Sequence, residues 1–195
     1  MTALLTCFNQ AAAYETTTHR ILSVFAANAS VLNRDPTLLS DLGMVPYATN
    51  AYIDTKGGLP RTAADIIGNG AIYEDDTGPI CSYCNFDTKR PLRHFFDPQF
   101  IFSDGINIYG RGLTITTPLL SVTYLTSPTW ALEDLTSDSN QEFSYADARN
   151  HFVAAFTSDS QTTRQVEMSR VFQTLGQVIH HLQDMGQPQH ARLDK

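Results

Sequence analysis

The segment that most constrains the fold is a long helical pattern near the C-terminus. From about Thr163 to Met185, apolar residues fall at Val171, Leu175, Val178, Leu182 and Met185. Alternating steps of four and three trace one stripe along an α-helix. Gln173, Gln177, His180 and Asp184 gather roughly opposite that stripe. By hydropathy alone, the apolar stripe faces the core and the polar one faces water. Gly186 and Pro188 then stop the helix.

The rest of the chain reads as further helices separated by long polar connections. Thr16 to Thr18 can cap a helix carrying Ile21, Leu22, Val24 and Phe25. Asp35-Pro36 opens a short helix that Gly43 ends. Thr62 opens one through Ile66, Ile67 and Ala71 that finishes near Asp75. Ser127-Pro128 starts a short helix with Trp130, a core rather than a substrate-binding side chain, and Ser144 with Asp147 spells a capping box. Residues 76–93 read as a loop. Between 98 and 127 the β-branched residues, among them Ile106, Ile108, Ile115 and Val122, fit either a small hairpin or an ordered extended loop. The expected fold is therefore all-α and multi-helical, in one domain of residues 14–195.

Composition narrows the function classes. With 42% hydrophobic and 17% charged residues the chain is an ordinary globular one. No apolar run approaches the roughly 18 residues of a membrane span. A net charge of −7 argues against a stable nucleic-acid partner, which calls for a basic stripe. It leaves a phosphodiesterase open, because bound metal ions reverse the charge at a site. At the N-terminus, Ala11, Ala12 and Ala13 before Tyr14 read as a signal-peptidase site, although residues 1–13 hold no Lys or Arg. Residues 1–13 are then a signal-peptide remnant, and the protein is secreted or periplasmic. Cys7 would leave with that segment. Cys81 and Cys84 remain as a lone C-x-x-C, read first as a disulfide in an exported loop, then as free cysteines, and last as a metal site.

His180 and Asp184, four apart, sit one above the other on the helix face. The Gly186-Gln187-Pro188 turn can bring His190 back towards them. Imidazole nitrogens and carboxylate oxygens suit a catalytic zinc. Alone, such a pair is more often an exposed i,i+4 interaction. His181 and His151 fit surface or satisfied core histidines, His181 alternatively an outer donor to the site.

The stretch His180-His181-Leu182-Gln183-Asp184-Met185-Gly186-Gln187-Pro188-Gln189-His190 resembles the signature of the bacterial zinc-dependent phospholipases C and of the single-strand-specific nucleases that share their fold. In that family an aromatic mature N-terminus and a nearby His bind one zinc, which corresponds here to Tyr14 and His19. An Asp followed by a His binds another. Gly70-Ala71-Ile72-Tyr73-Glu74-Asp75 and Arg93-His94-Phe95-Phe96-Asp97-Pro98 resemble those segments, with Asp75 preferred over Asp76. The separation of Asp75 and His94 exceeds the family's spacing, and the excess holds the cysteine pair.

The resemblance implies up to three zinc ions. One would take Asp75, His94, His180 and Asp184. A second would take Tyr14, His19 and Asp184, whose carboxylate bridges. The third would use His190 with a His and an acidic residue that the family carries farther along, so the chain reads as C-terminally truncated. Asp194 is a weaker substitute than a solvent-exposed pair. Tyr83, Phe86, Phe95 and Phe96 flank the expected cleft. The implied activity is phosphodiester hydrolysis, phospholipase C-like, by zinc-bound hydroxide attacking phosphorus, with Asp75 as ligand and candidate base. The substrate is then a phospholipid or another phosphodiester. The alternatives are a single-strand nuclease of the same fold and a non-catalytic zinc-binding relative.

Overall fold

Local signals set most helix starts. In the computed structural model, which describes residues 15–75, 90–99, 110–134 and 141–192, the chain is mostly helical. The Ser144 hydroxyl accepts from the Asp147 amide while the Asp147 carboxylate accepts from the Ser144 amide, which opens α6 (Tyr145–Thr157). Thr62 caps α4 (Ala63–Asp75) by accepting from the Asp65 amide at 3.2 Å. Thr126 does the same for α5 (Ser127–Leu132). Two starts differ from expectation. Helix α1 (Thr16–Ala29) begins after Glu15 with no side-chain cap. After α2 (Val31–Arg34), Asp35 does not cap a helix directly; its carboxylate accepts from the Thr37 amide, and α3 (Leu38–Asp41) starts later.

The long helix α7 (Gln161–Met185) is the centre of the molecule, packed against α4 and α6, while α1 packs on α4. Its N-terminal half buries apolar side chains. Phe172 meets the Tyr52 ring edge-on at 5.0 Å, and Ile66 and Met168 complete that core. Its C-terminal half does the reverse of what hydropathy predicts. Gln173, Gln177, His180 and Asp184 are all 3% exposed or less, while Leu182 is 59% exposed. The polar face is inward because each member has a partner there: Thr55 for Gln173, Arg90 for Gln177, the Ala71 carbonyl for His180 and a set of histidines for Asp184. A buried polar group with partners avoids the desolvation penalty that would otherwise expel it. Helix α1 repeats the inversion. His19, Ser23 and Ala27 face inward, and Ile21 and Phe25 face out.

Helices α4 and α7 cross without intervening side chains. A Cβ on Gly176 would lie 2.0 Å from the Ile67 carbonyl oxygen, and one on Gly70 would lie 2.1 Å from that of Gln173. Only glycine permits this approach.

Two small antiparallel ladders complete the described residues. Strands β1 (Tyr52–Ile53) and β2 (Pro60–Arg61) pair before α4, and β3 (Thr114–Thr116) pairs with β4 (Ser121–Thr123). The second is a hairpin, with Ile115 opposite Val122 and hydroxyl pairs Thr114–Thr123 and Thr116–Ser121 at 3.0 Å. It occupies only the later part of 98–127; Ile106 and Ile108 lie outside the described residues. Its base holds the segment after the 3-10 turn Arg90–Arg93 in place, through the Asp97–Arg111 bridge and the Ser127 amide bonded to the Phe95 carbonyl. α8 (Pro188–Arg192) follows directly on α7.

Gly176→Ala should lower unfolding free energy by about 3 kcal/mol, the upper range for overpacking. Gly57→Ala, whose nearest neighbour would be 4.0 Å away, should change it by less than about 0.5 kcal/mol. Urea denaturation of the two variants checks both values.

Candidate metal centre

Five elements deliver titratable side chains to one buried point. α7 supplies His180 and Asp184, the end of α4 supplies Asp75, the turn after Arg90–Arg93 supplies His94, α1 supplies His19 and α8 supplies His190. Asp184 is the hub. Its Oδ2 lies 2.9 Å from His94 Nδ1, 3.0 Å from His180 Nε2 and 3.4 Å from His190 Nδ1, and its Oδ1 lies 3.5 Å from His19 Nε2. Asp75 Oδ1 lies 3.5 Å from His94 Nδ1 and 3.6 Å from His180 Nε2.

The other ring nitrogens are engaged in ways that aim these atoms. His180 Nδ1 donates to the Ala71 carbonyl at 2.8 Å, a bond that the close α4–α7 crossing makes reachable. Gln183 donates to Ser23 Oγ at 2.9 Å, so its amide oxygen faces His19 Nδ1 at 2.6 Å and receives that proton. The His19 ring stacks on His180 with centroids 3.9 Å apart. His190 is held by its carbonyl, which accepts from the Phe96 amide at 3.0 Å, and by the Phe95 ring stacked on its own at 4.7 Å.

Electrostatics follow the same geometry. Burial opposes ionisation of Asp184, but the close His180, His190 and His94 rings prevail and hold its carboxyl far below the ordinary range. Burial likewise opposes a charge on His94, yet Asp184 and Glu74 outweigh it and raise its pKa to about 10. Burial, reinforced by His180, lowers His19.

The arrangement could hold a metal ion, and among the described residues three groups qualify: His94, His180 and Asp184; His19, Asp75 and His180; and Glu74, His94 and His181. The first extends naturally to Asp75. Ligand atoms at about 2.0–2.1 Å around a tetrahedral centre are separated by roughly 3.3 Å. His94 Nδ1, His180 Nε2 and Asp184 Oδ2 lie 2.9, 3.0 and 3.3 Å from one another, and Asp75 Oδ1 lies 3.5 Å from His94 Nδ1 and 3.6 Å from His180 Nε2. The donors fit the ion. His180, whose second nitrogen is tied to the Ala71 carbonyl, has the usual metal-binding arrangement. The Glu74 group differs, because Arg90 and Trp130 already donate to that carboxylate.

Sequence reasoning pointed to His19, Asp75, His94, His180, Asp184 and His190, and the structure brings all six together. Tyr14, Asp76, Cys81, Tyr83, Cys84, Phe86 and Asp194 lie outside the described residues. Trp130 is wholly buried, and His151 pairs with Glu167 at 2.7 Å away from the cluster. His181 is a satisfied core histidine, bonded to Ser127 Oγ and Glu74 Oε1 at 3.0 Å each. That chain has the connectivity of a nucleophile–base–acid relay. Ser127 is 0% exposed, however, so no substrate reaches it. Glu74 itself was missed. It falls four after Gly70 and three after Ala71, on the face of α4 that both show to be buried, and that spacing was the available signal.

Comparison with known proteins adds nothing to this geometry: no protein-family model, curated protein or solved structure matches the chain. Among the described residues no helix is long and apolar enough to cross a membrane.

The pH dependence of the chelator-treated protein tests these electrostatics. A raised His94 pKa contributes stability that is fully present below its ordinary 6.5 and is lost as pH rises through about 10. The depressed Asp184 contributes above its ordinary 3.8 and begins to lose its contribution below it. The melting temperature in chelator should therefore peak between those two ordinary values and fall towards pH 10. Added divalent metal should stabilise more strongly as pH rises, because binding displaces the His94 proton. Calorimetry across that range reads both slopes.

Proposed function

We propose that this chain is a zinc-dependent phosphodiester hydrolase, phospholipase C-like, with a multi-helix fold of the phospholipase C/nuclease type. The observation that carries the proposal is the convergence of Asp75, His94, His180 and Asp184 on one buried point, with the donor types of a catalytic zinc. Support also comes from Asp184, whose two oxygens face different histidines, as a carboxylate bridging two ions requires. His19 is the partner on the second side. Zinc in such a site lowers the pKa of a coordinated water to about 7 and offsets charge on a phosphoryl group.

The chain's own residues divide the remaining work. His94, His180 and Asp184 are buried to 2% or less and supply fixed donors, so no reorganisation is needed when charge develops nearby. Asp75 is 22% exposed, the one side chain of the four with a path to solvent. Its carboxylate is placed to take a proton from an attacking water and pass it outward. The net charge of −7 favours a phospholipid over a nucleic-acid strand. Export, inferred from Ala11–Ala13, fits a zinc enzyme acting on lipid outside the cytoplasm.

Hydrolysis of a chromogenic phosphocholine ester, abolished by chelation and restored by zinc, is the expected result. Degradation of single-stranded DNA without ester hydrolysis would instead assign the nuclease activity, and zinc binding with neither would assign a non-catalytic role. Asp184→Asn should remove two metals together and reduce hydrolysis on the order of 1,000-fold. Elemental analysis of that variant at full zinc occupancy would contradict the bridging role.

A further inference from the structure

Behind the metal-facing atoms lies a second buried group that the proposed reaction leaves unused. Glu74 is 1% exposed. Its Oε1 accepts from Trp130 Nε1 and from His181 Nε2, each at 3.0 Å, and faces His94 Nε2 at 3.7 Å. Its Oε2 accepts from Arg90 Nη1, and the same guanidinium nitrogen donates to Gln177 Oε1 at 3.2 Å. Arg93 lies over the Trp130 ring, 3.9 Å from its centroid. On the far side the Ser127 hydroxyl donates to His181 Nδ1 at 3.0 Å. Three donors already meet this carboxylate, so an ion there would have to compete with Trp130, His181 and Arg90.

What it does have is a position against His94. The His94 ring stands edge-on to His181, with centroids 4.8 Å apart; its Nε2 faces Glu74 at 3.7 Å, an ion-pair separation rather than a hydrogen bond, and its Nδ1 faces Asp184 and His180. Rotating that ring by half a turn would set a carbon where Nδ1 faces Asp184. It would also set a carbon against Glu74.

We propose that Glu74 is a positioning residue for the metal centre: it holds His94 as the Nε2–H tautomer, turns Nδ1 towards Asp184, His180 and Asp75, and thereby sets metal affinity. The assignment rests on the metal reading of the site. Outer carboxylates on metal-bound histidines commonly govern affinity by about 10–100-fold. Arg90 balances the charge of Glu74, and Trp130 and His181 fix its plane. The negative side chain therefore stays in a dry interior without acting as a ligand itself.

The test measures zinc affinity by competition with a chelating dye in the wild-type protein and in Glu74→Gln. The amide keeps the shape, but it loses the charge and must turn its NH2 towards Arg90 or towards the ring N–H donors. The expected result is a zinc Kd raised about 10–100-fold, with nitrogen-15 spectra showing mixed His94 tautomers in the variant. A purely structural role would lower melting temperature and leave both the Kd and the tautomer unchanged, which overturns the proposal. Should the variant not fold, nitrogen-15 spectra of zinc-loaded wild type decide. A protonated Nε2 on His94 supports the proposal, and a protonated Nδ1 overturns it. Wild type that takes up no zinc removes the metal reading and this proposal with it, whereas tight binding unaffected by Glu74→Gln removes this proposal alone.

Discussion

Helices α4 and α7 touch backbone to backbone, and the candidate site depends on that contact. Gly70 and Gly176 leave no Cβ at the crossing, where any added atom would fall about 2 Å from a carbonyl oxygen. The approach lets His180 reach the Ala71 carbonyl and fixes which of its nitrogens faces Asp184. One turn beyond the glycines on each helix, about 6 Å along the axis, come Glu74 with Asp75 and His180 with His181. A bulkier residue at either glycine would separate the carboxylates from the histidines, so packing and ligand geometry are one constraint.

The interior built around this crossing is half conventional and half not. Towards the start of α7, Phe172, Ile66 and Tyr52 form an apolar core. Towards its end, five histidines, three carboxylates and an arginine share a volume with little water access. Isolated ions there would be strongly penalised, but the carboxylates and histidines lie within ion-pair reach of one another, and Arg90, Trp130 and His181 donate to Glu74. Opposing charge and burial push pKa values apart, with His94 raised and His181 lowered to about 4, chiefly by burial. Such strongly perturbed clusters concentrate at functional sites. The outward-facing Ile21, Phe25 and Leu182 are the counterpart of turning polar faces inward.

Much of this was legible in the sequence, with one instructive inversion. The capping box at Ser144, the start of α4 after Thr62 and the stop at Gly186 depend on local chemistry, and they read correctly. The period of α7 was equally plain, but hydropathy assigned the wrong face to its C-terminal half. Burial of Gln173, Gln177, His180 and Asp184 comes from partners distant in sequence, such as Thr55, Arg90 and His94, which no local pattern displays. His19, Asp75, His94 and His190 were nameable from residue type and from the resemblance of short segments around them to a known signature, which local sequence displays. Glu74 was not, since its importance lies in receiving bonds from Trp130, His181 and Arg90. Hairpin and extended loop were indistinguishable throughout 98–127, and the ladder between Thr114 and Thr123 depends on pairing that β-branched composition only permits.

X-ray absorption at the zinc edge of the purified protein tests the central claim most directly, because it reads ligand type and distance together. The four donors Asp75, His94, His180 and Asp184, with a water beside them, predict a nitrogen and oxygen shell at about 2.0–2.2 Å without sulfur, with the outer scattering of two imidazole rings. A sulfur shell at about 2.3 Å would place the metal on the cysteines instead and contradict the account.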